Sequence, residues 1–271
     1  MTATRPGGAP GAATSSTAVP ATAAQTVLAP IVFGVAVILL WQGLVTALAI
    51  KAFVLPAPFA IGAEFGANLQ NVGNGMAVTG RNALIGLILG AVLGIVLAIV
   101  SALAHLFDEM AAPVVAALSV VPIVALAPVL YTMFGAGAET ARQLVAALAV
   151  FVPVYFNTLK GLRQVRPVHR DLMRSYAVTS WQATRVVTLP TALPYVFTGL
   201  RIASSLAVIS ALIAEYFGGP VGGLGKSITS AASSSNYGLA WAYVLGSIIL
   251  GLTFYCAALI VEKLITRRPG G

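Results

Sequence analysis

The stretch that decides the fold is NALIGLILGAVLGIVLAIVSALA, residues 82–104. It carries no charge and is long enough to cross the hydrocarbon core of a bilayer as one helix, which takes about 20 apolar residues. Glycine recurs in it at every fourth position, at Gly86, Gly90 and Gly94. Small residues at this spacing let another helix approach closely. The stretch predicts a membrane-spanning helix with a tight packing face, turned either to a helix of the same chain or to a second subunit or transport pathway.

The composition of the whole chain agrees with this reading. Of its 271 residues, 59% are apolar and only 8% are charged, whereas a soluble domain has about 25% charged residues. A water-soluble globule is therefore excluded. The single cysteine, Cys256, excludes a disulfide scaffold and a zinc site built on paired cysteines.

Six apolar segments follow one another along the chain, each near the length of a membrane span. They carry no charge except the fifth, which contains Arg201. The first is too long for the apolar core of a signal peptide, so we expect it to remain as a span. The predicted fold class is all-α and integral to the membrane, with six transmembrane helices. The predicted spans are residues 27–50, 82–104, 111–134, 143–159, 193–214 and 239–261.

The segments outside these spans are short. Residues 1–25 are rich in Ala, Thr, Pro, Gly and Ser, a composition that cannot bury enough apolar surface to fold, so they are predicted to be a disordered tail. Residues 26–265 are expected to form one membrane domain, and residues 266–271 a short C-terminal tail. The sizeable loop of the domain is at residues 160–192.

The basic residues behind the net charge of +8 indicate how the chain is oriented in the membrane. Eleven of the 15 Lys and Arg residues fall on the side of the membrane that holds both termini. Only Lys51, Arg81, Arg142 and Lys226 fall on the other side. Basic residues accumulate in cytoplasmic loops, so both termini are predicted to be cytoplasmic. The basic excess then needs no nucleic-acid partner to explain it.

The residues that membrane enzymes and metal sites use are missing from the predicted spans. There is no HExxH, no GxSxG and no pair of carboxylates within the spans. His105 and His169 fall in separate predicted loops. We therefore expect no enzyme activity, no metal site and no bound cofactor.

Two features of the spans each leave two interpretations open. Pro113, Pro122 and Pro128 bend the third predicted span, either beside a conduit or in a purely structural position. The fifth span ends at an acid, Glu215, and runs into a glycine-rich loop, residues 218–225. This loop is predicted to form either an outer gate or a plain turn between helices. The residues assigned to the gate are Glu215, Tyr216, Gly218 and Gly219.

The loop at residues 160–192 is amphipathic as well as basic. Apolar residues from Leu172 onward follow helical spacing, Thr179-Ser180 predicts a break with a new N-cap, and residues 181–187 predict a second short helix that stops before Pro190. From the residues alone, the loop could lie on anionic lipid or serve as a docking surface for a cytoplasmic partner.

This loop resembles the coupling segment of inner-membrane permease subunits of ATP-binding-cassette importers. The pattern of that family is Glu-Ala-Ala, three residues, Gly, nine residues, Ile, one residue, Leu-Pro. Aligned on Leu189-Pro190, the chain has Val187 for Ile, Ala177 for Gly and Asp171-Leu172-Met173 for Glu-Ala-Ala. The flanking residues 174–175, 181–182, 189–195 and 199–203, together with 55–58, 134–137 and 157–163, resemble the nitrate/sulfonate/taurine branch of the family.

The resemblance implies a six-span, type I ABC importer permease fold with a cytoplasmic coupling helix, in a bacterial inner membrane. The implied partners are a cytoplasmic ATPase subunit that binds the ATP, an extracytoplasmic solute-binding protein, and a second permease copy, as a homodimer or with a paralogue. Arg201 is expected to act near the coupling region or to snorkel to lipid phosphates. The residues expected to contact the ATPase are Asp171, Arg174, Tyr176, Ala177, Trp181, Leu189 and Pro190.

The cargo that the resemblance implies is a small anionic or heterocyclic solute. Residues 171–176 and 215–220 resemble a sub-branch associated with pyrimidine vitamin precursors and riboflavin, and the wider branch carries sulfonates, nitrate and taurine. The alternative from a different functional class is a membrane channel or scaffold that needs no ATPase.

Overall fold

The computed structural model describes residues 23–135, 137–220 and 222–266. Over these residues the chain is helical, with no strand. Most of the predicted N-terminal tail (1–22) and nearly all of the C-terminal tail (267–271) lie outside the described residues. A 3-10 turn (Ile123–Leu126) and a π turn (Thr184–Thr188) separate some of the helices, which are α1 (Ala23–Ala47), α2 (Pro58–Ala67), α3 (Leu69–Leu103), α4 (His105–Val120), α5 (Ala127–Phe134), α6 (Thr140–Arg163), α7 (Pro167–Ser175), α8 (Ser180–Ala183), α9 (Leu189–Phe217), α10 (Leu224–Ser233) and α11 (Tyr237–Thr266).

Five helical segments of the described chain are long and apolar enough to cross a membrane. They correspond to the first, second, fourth, fifth and sixth predicted spans, although the first helix ends at Ala47, three residues before the predicted end of its span. The second begins at Leu69, well before residue 82, because Arg81 does not end the helix. Its guanidinium is paired with Glu139 instead, at the end of the bundle. The five segments are Leu28–Ala47, Leu69–Leu103, Thr140–Arg163, Ser180–Phe217 and Tyr237–Thr266.

The third predicted span is not one helix, so the count of six spanning helices is not confirmed. α4 ends at Val120, and Val121 adopts an extended conformation with φ −62° and ψ 128°. The residue before a proline avoids the helical region because the proline ring clashes with it, and Pro122 follows here. The chain then passes through the 3-10 turn into the short helix α5.

The glycine stripe of α3 lies against α6. A β-carbon on Gly86 or Gly90 would overlap atoms of Ala146 or Ala147, and one on Gly94 would lie 3.0 Å from the carbonyl oxygen of Phe151. The contacts advance in the same direction along both helices, so α3 and α6 are parallel. The chain must therefore return between them, and α4, the 3-10 turn and α5 make this return.

α6 is the central helix of the bundle, with α3 on one side and the antiparallel α9 on the other. Its residues Val145, Val150 and Val154 are fully buried. Gly199 of α9 and Gly161 of α6 allow the second close contact, since a β-carbon on either would meet the facing helix within 3.0 Å. α11 covers α9, whereas the apolar side chains of α1 are largely exposed, as those of a lipid-facing helix are.

The helix that carries Pro190 does not stop before it, contrary to the prediction. α8, the π turn and α9 form one continuous helical segment, Ser180–Phe217. In the π turn, the N–H of Leu189 donates to the carbonyl of Thr184, five residues back. A proline in a regular helix clashes with the carbonyl one turn earlier and leaves it without a donor. The wider π turn before Pro190 leaves room for the proline ring and changes the pairing of the carbonyls in this turn, so the helix continues through Pro190.

Candidate functional site

The first candidate site is the coupling segment, defined as residues 167–190, at the end of the bundle that carries the basic loop. It consists of α7, a four-residue bend (176–179), α8, the π turn and the first two residues of α9. The predicted N-cap is confirmed: Thr179 and Gln182 form a capping box, in which the Thr179 N–H donates to Gln182 Oε1 at 3.1 Å. The start of α8 is thus fixed locally, without help from the rest of the chain.

The bend itself depends on Ala177, which has a left-handed φ of 50°. In the resembling family this position is glycine, and the backbone explains why. An L-residue with a β-carbon is strained in the left-handed region by about 1 kcal/mol or more, whereas glycine is not. The chain keeps the turn that the family glycine makes, at the cost of that strain.

All seven residues expected to contact an ATPase are exposed. The side chains of Tyr176 and Trp181 are 72% and 71% exposed, although both are large and apolar. Asp171 and Arg174 form a loose surface pair, with 4.0 Å between Oδ1 and Nη1. The structure brings Asp171, Arg174, Tyr176, Ala177 and Trp181 into the two short helices and their bend, and places Leu189 and Pro190 at the start of α9. The segment is a surface with no cover from the described chain.

Arg201 lies outside the coupling segment and is paired inside the bundle. Its Nη1 atom lies 3.0 Å from Oε2 of Glu262 on α11, and Thr198 donates to the other oxygen of Glu262 at 3.2 Å. Both charged side chains are mostly buried. The contact ties α9 to α11, just inside the helix that continues the coupling segment.

The second candidate site, at the opposite end of the bundle, is built on a buried ion pair. Arg142 of α6 and Glu215 of α9 are both completely buried, with 3.5 Å between Nη1 and Oε1. The sequence analysis treated Arg142 as a loop cation, and this was wrong. The available signal was that Arg142 and Glu215 stand at the same end of neighbouring spans, where two opposite charges bury more cheaply together than apart.

The Glu215 carboxylate has two further donors. The Thr79 hydroxyl of α3 lies 3.0 Å from each carboxylate oxygen, and the backbone N–H of Gly225 donates at 2.8 Å. Thr79 in turn accepts from the backbone N–H of Leu224 at 2.9 Å. Glu215 and Thr79 therefore satisfy the first N–H groups of α10, which have no partners within their own helix.

The Arg142 guanidinium has partners on two other elements. It donates to the carbonyl of Pro220 in the glycine-rich loop. Its Nε atom lies 3.4 Å from the hydroxyl of Tyr131 on α5, which itself donates to the carbonyl of Ala214 at 3.3 Å. We call this group, Thr79, Tyr131, Arg142 and Glu215, the buried cluster.

Glycines line the loop because it runs directly over the buried cluster. Gly219 has a φ of 100°, and a β-carbon there would collide with the Arg142 guanidinium. A β-carbon on Gly223 would overlap the Glu215 carboxylate, and one on Gly218 would lie 3.2 Å from the Tyr131 ring. Of the four residues assigned to the gate, three lie in or on the cluster. Tyr216 is 39% exposed and is not part of it.

The described part of the chain has no group of three or more His, Cys, Asp or Glu side chains placed to hold a metal ion. His105 is exposed at the start of α4, beside Glu109, and His169 lies far from it on α7. The polar groups of the coupling segment lie on an exposed surface, and those of the buried cluster hold helices and a loop together.

Residues 90–269, about two thirds of the chain, match the family described as "Binding-protein-dependent transport system inner membrane component". The chain belongs to this family. Its matched part includes the coupling segment, the buried cluster except Thr79, and the helices α6, α9 and α11. The resemblance seen in the sequence is thereby confirmed at the level of the family.

Named relatives agree with this family. The chain is 36% identical over 232 residues to the riboflavin transport system permease protein RibX of Chloroflexus aurantiacus, covering 84% of this chain and 85% of that one. It is 32% identical over 191 residues to the putative aliphatic sulfonates transport permease protein SsuC of Escherichia coli, covering 69% and 72%. Permeases of the ABC importer type are therefore its relatives, in the nitrate/sulfonate/taurine-like branch.

The fold has a solved counterpart. The crystal structure of an amino acid ABC transporter with histidines superposes with a TM-score of 0.61 at 16% identity, over 73% of this chain and 95% of that one. At this identity the likeness concerns the fold alone, which is that of an ABC transporter permease.

Proposed function

We propose that the chain forms the translocation pathway of an ABC importer and receives its driving force from a separate ATPase subunit through the coupling segment. The observation that carries this proposal is the continuous helix Ser180–Phe217. It joins the exposed coupling segment at one end to the buried cluster at the other. Thirty-eight residues of helix span about 57 Å at 1.5 Å per residue, which is more than the thickness of a bilayer.

On this proposal, ATP closes two ATPase subunits and draws the coupling segments of two permeases together. α9 carries that displacement across the membrane because it is one helix, and Arg201 transfers part of it to α11 through Glu262. The bundle rocks from an inward-open to an outward-open state, and hydrolysis resets it. The exposed rings of Tyr176 and Trp181 would fill a groove on the ATPase, with Asp171 and Arg174 at its rim.

The proposed orientation puts the coupling segment and both termini in the cytoplasm of a bacterium, in agreement with the basic residues at that end. The buried cluster then lies on the outer side, where a solute-binding protein delivers the cargo. The second permease is proposed to be another copy of this chain, since exposed apolar side chains on α9 and α11, such as Ile209 and Leu252, offer a surface for it.

The proposed cargo is a small anionic or heterocyclic solute: a pyrimidine vitamin precursor or riboflavin, with sulfonates, nitrate or taurine as the alternative. A relative whose name includes riboflavin transport supports the first, and a relative whose name includes aliphatic sulfonates supports the second. Tight binding of an alkanesulfonate by the partner solute-binding protein, with no affinity for flavins or pyrimidines, would reject the first cargo.

Co-purification with ATPase subunits tests the coupling proposal. The tagged chain, expressed with ATPase subunits from the same genome, should retain one of them through purification. Ala177→Trp should reduce the retained ATPase at least about tenfold, because Ala177 sets the bend and lies at its surface. The matched control is Val114→Trp, a similar change at an exposed position of α4, which should leave it unchanged.

The competing function, a channel or scaffold that needs no ATPase, makes the opposite prediction. Proteoliposomes that contain the chain alone would then take up the solute without ATP, and Ala177→Trp would not affect uptake. This result would reject the importer proposal.

A further inference from the structure

The buried cluster connects more elements than a turn between two helices needs. Thr79 is on α3, Tyr131 on α5, Arg142 on α6 and Glu215 on α9. Through Pro220, Leu224 and Gly225 the cluster also holds the glycine-rich loop and the first turn of α10. Six elements of the chain thus meet on one pair of charges.

The cluster has little freedom to rearrange. Both charged side chains are fully buried, and separating them would leave an uncompensated charge out of water, which is strongly unfavourable. The glycine-rich loop approaches so closely that a β-carbon on Gly219 or Gly223 would overlap Arg142 or Glu215. Moving the loop away would therefore break hydrogen bonds to both members of the pair at once.

The hydrogen-bond partners of each charge are also specific: donors surround Glu215 and an acceptor faces Arg142. Glu215 accepts from a hydroxyl and a backbone N–H, whereas Arg142 donates to a backbone carbonyl. Exchanging the two charges would point a guanidinium at N–H donors and a carboxylate at a carbonyl. The cluster therefore does more than neutralise charge, because its hydrogen bonds orient α10 and the loop on the bundle.

We propose that Arg142 and Glu215 are positioning residues that lock α3, α5, α6, α9, the glycine-rich loop and the start of α10 into one block, which moves as a unit during transport. The inference rests on the proposed function for its transport cycle. It decides between the two interpretations of the loop: the loop is a fixed part of the block, and the outer side opens by displacement of whole blocks rather than by lifting of the loop.

Cysteine labelling in the full transporter complex tests this proposal. Two buried reporters, Leu224→Cys and Ala214→Cys, are each placed in a Cys256→Ser background, because Cys256 is exposed. Ser230→Cys on the exposed side of α10 is the accessible control. A membrane-impermeant maleimide is applied to the resting complex and to the complex arrested with ATP and orthovanadate. Counting the trapped ADP per complex shows that the cycle has been arrested.

If the block is rigid, both reporters stay at least about tenfold slower to label than Ser230→Cys in both states. If the loop lifts as a gate, Leu224→Cys becomes labelled in the arrested complex at a rate close to that of the control, which overturns the proposal.

The role of the charges is tested in the resting chain, which needs no ATPase. Arg142→Gln should accelerate labelling of both reporters at least about tenfold, and the exchange of Arg142→Glu with Glu215→Arg should not restore protection. Arg81→Gln, which removes an exposed pair at the same end, is the matched control and should have no effect. Unchanged labelling of Arg142→Gln would overturn the positioning role. Failure of every ATPase to bind the chain would count against the proposed function instead.

Discussion

Thr198 and Arg201 of α9 hold the two oxygens of a single carboxylate on α11, that of Glu262. The two α9 residues are three apart and so lie on one face of the helix. Their contact lies between the coupling segment and the core of the bundle. α9 and α11 are therefore joined at the point where a displacement of the coupling segment would enter the bundle.

Removing this contact should loosen α11 from α9. Arg201→Gln deletes the charge of a mostly buried pair and should destabilise the chain by about 1–3 kcal/mol. For a chain of this size each kcal/mol is expected to lower Tm by about 2–4 °C. Thermal unfolding of the purified chain measures the effect. Arg163→Gln, which breaks a more exposed pair with Asp108, should cost less, and an equal cost would contradict the assignment.

The glycine stripe of α3 predicts that the stability of the chain depends strongly on side-chain size at these positions. Gly90→Ala would push a methyl group into the α6 backbone at Ala147 and should destabilise the chain by about 1–3 kcal/mol. Gly251→Ala in α11 meets nothing within 4 Å and should be neutral or stabilising by up to about 1 kcal/mol. Thermal unfolding of both variants in the same detergent makes the comparison. Equal Tm values would contradict the close packing of α3 on α6.

The bend of the coupling segment predicts an unusual substitution series. Ala177→Gly relieves the left-handed strain and should stabilise the bend by up to about 1 kcal/mol, while Ala177→Val should destabilise it because a β-branched residue fits that region worst. Amide hydrogen exchange in α7 and α8 reports this local effect. Exchange that is faster in the glycine variant than in the valine variant would show that the bend has a different conformation.

Pro190 should matter more for coupling than for stability. In Pro190→Ala the helix can relax from a π turn to regular α-helical turns, which rotates α8 and α7 relative to α9 by about 100° per residue of register. We expect Tm to hold or rise while the ratio of solute transported to ATP hydrolysed falls at least about fivefold. Both quantities are measured in proteoliposomes. A variant with normal coupling would show that the register of α8 on α9 is unimportant.

The sequence predicted the apolar helices well because hydropathy acts locally. Residues 82–104 are uncharged and long enough to span a bilayer, so their helix is predicted from composition alone. The N-cap at Thr179 is predicted from the residue type and its position before a helical pattern. The third span was mispredicted because three prolines leave open whether a helix bends or breaks, and the break at Val121 depends on how the chain returns between α3 and α6. The continuous helix through Pro190 was missed because a π turn has no strong sequence pattern.

The buried cluster was missed for a different reason. Arg142 and Glu215 are 73 residues apart in sequence, and a single chain gives no measure of their distance in space. Counting Arg142 among loop residues was reasonable from its position at a span end. The assignment of basic residues to loops could not show that α6 lies at the centre of the bundle, where the Arg142 guanidinium is fully buried.

The separation of Arg142 and Glu215 by 73 positions in sequence also means that they are synthesised at different times. At roughly 5–20 residues per second, the ribosome adds Glu215 about 4–15 s after it adds Arg142. During that interval the Arg142 guanidinium has no carboxylate to join, so it must stay among headgroups and water at the membrane surface. α6 can take its central place only when α9 arrives, which makes assembly of the nascent bundle depend on a helix made late.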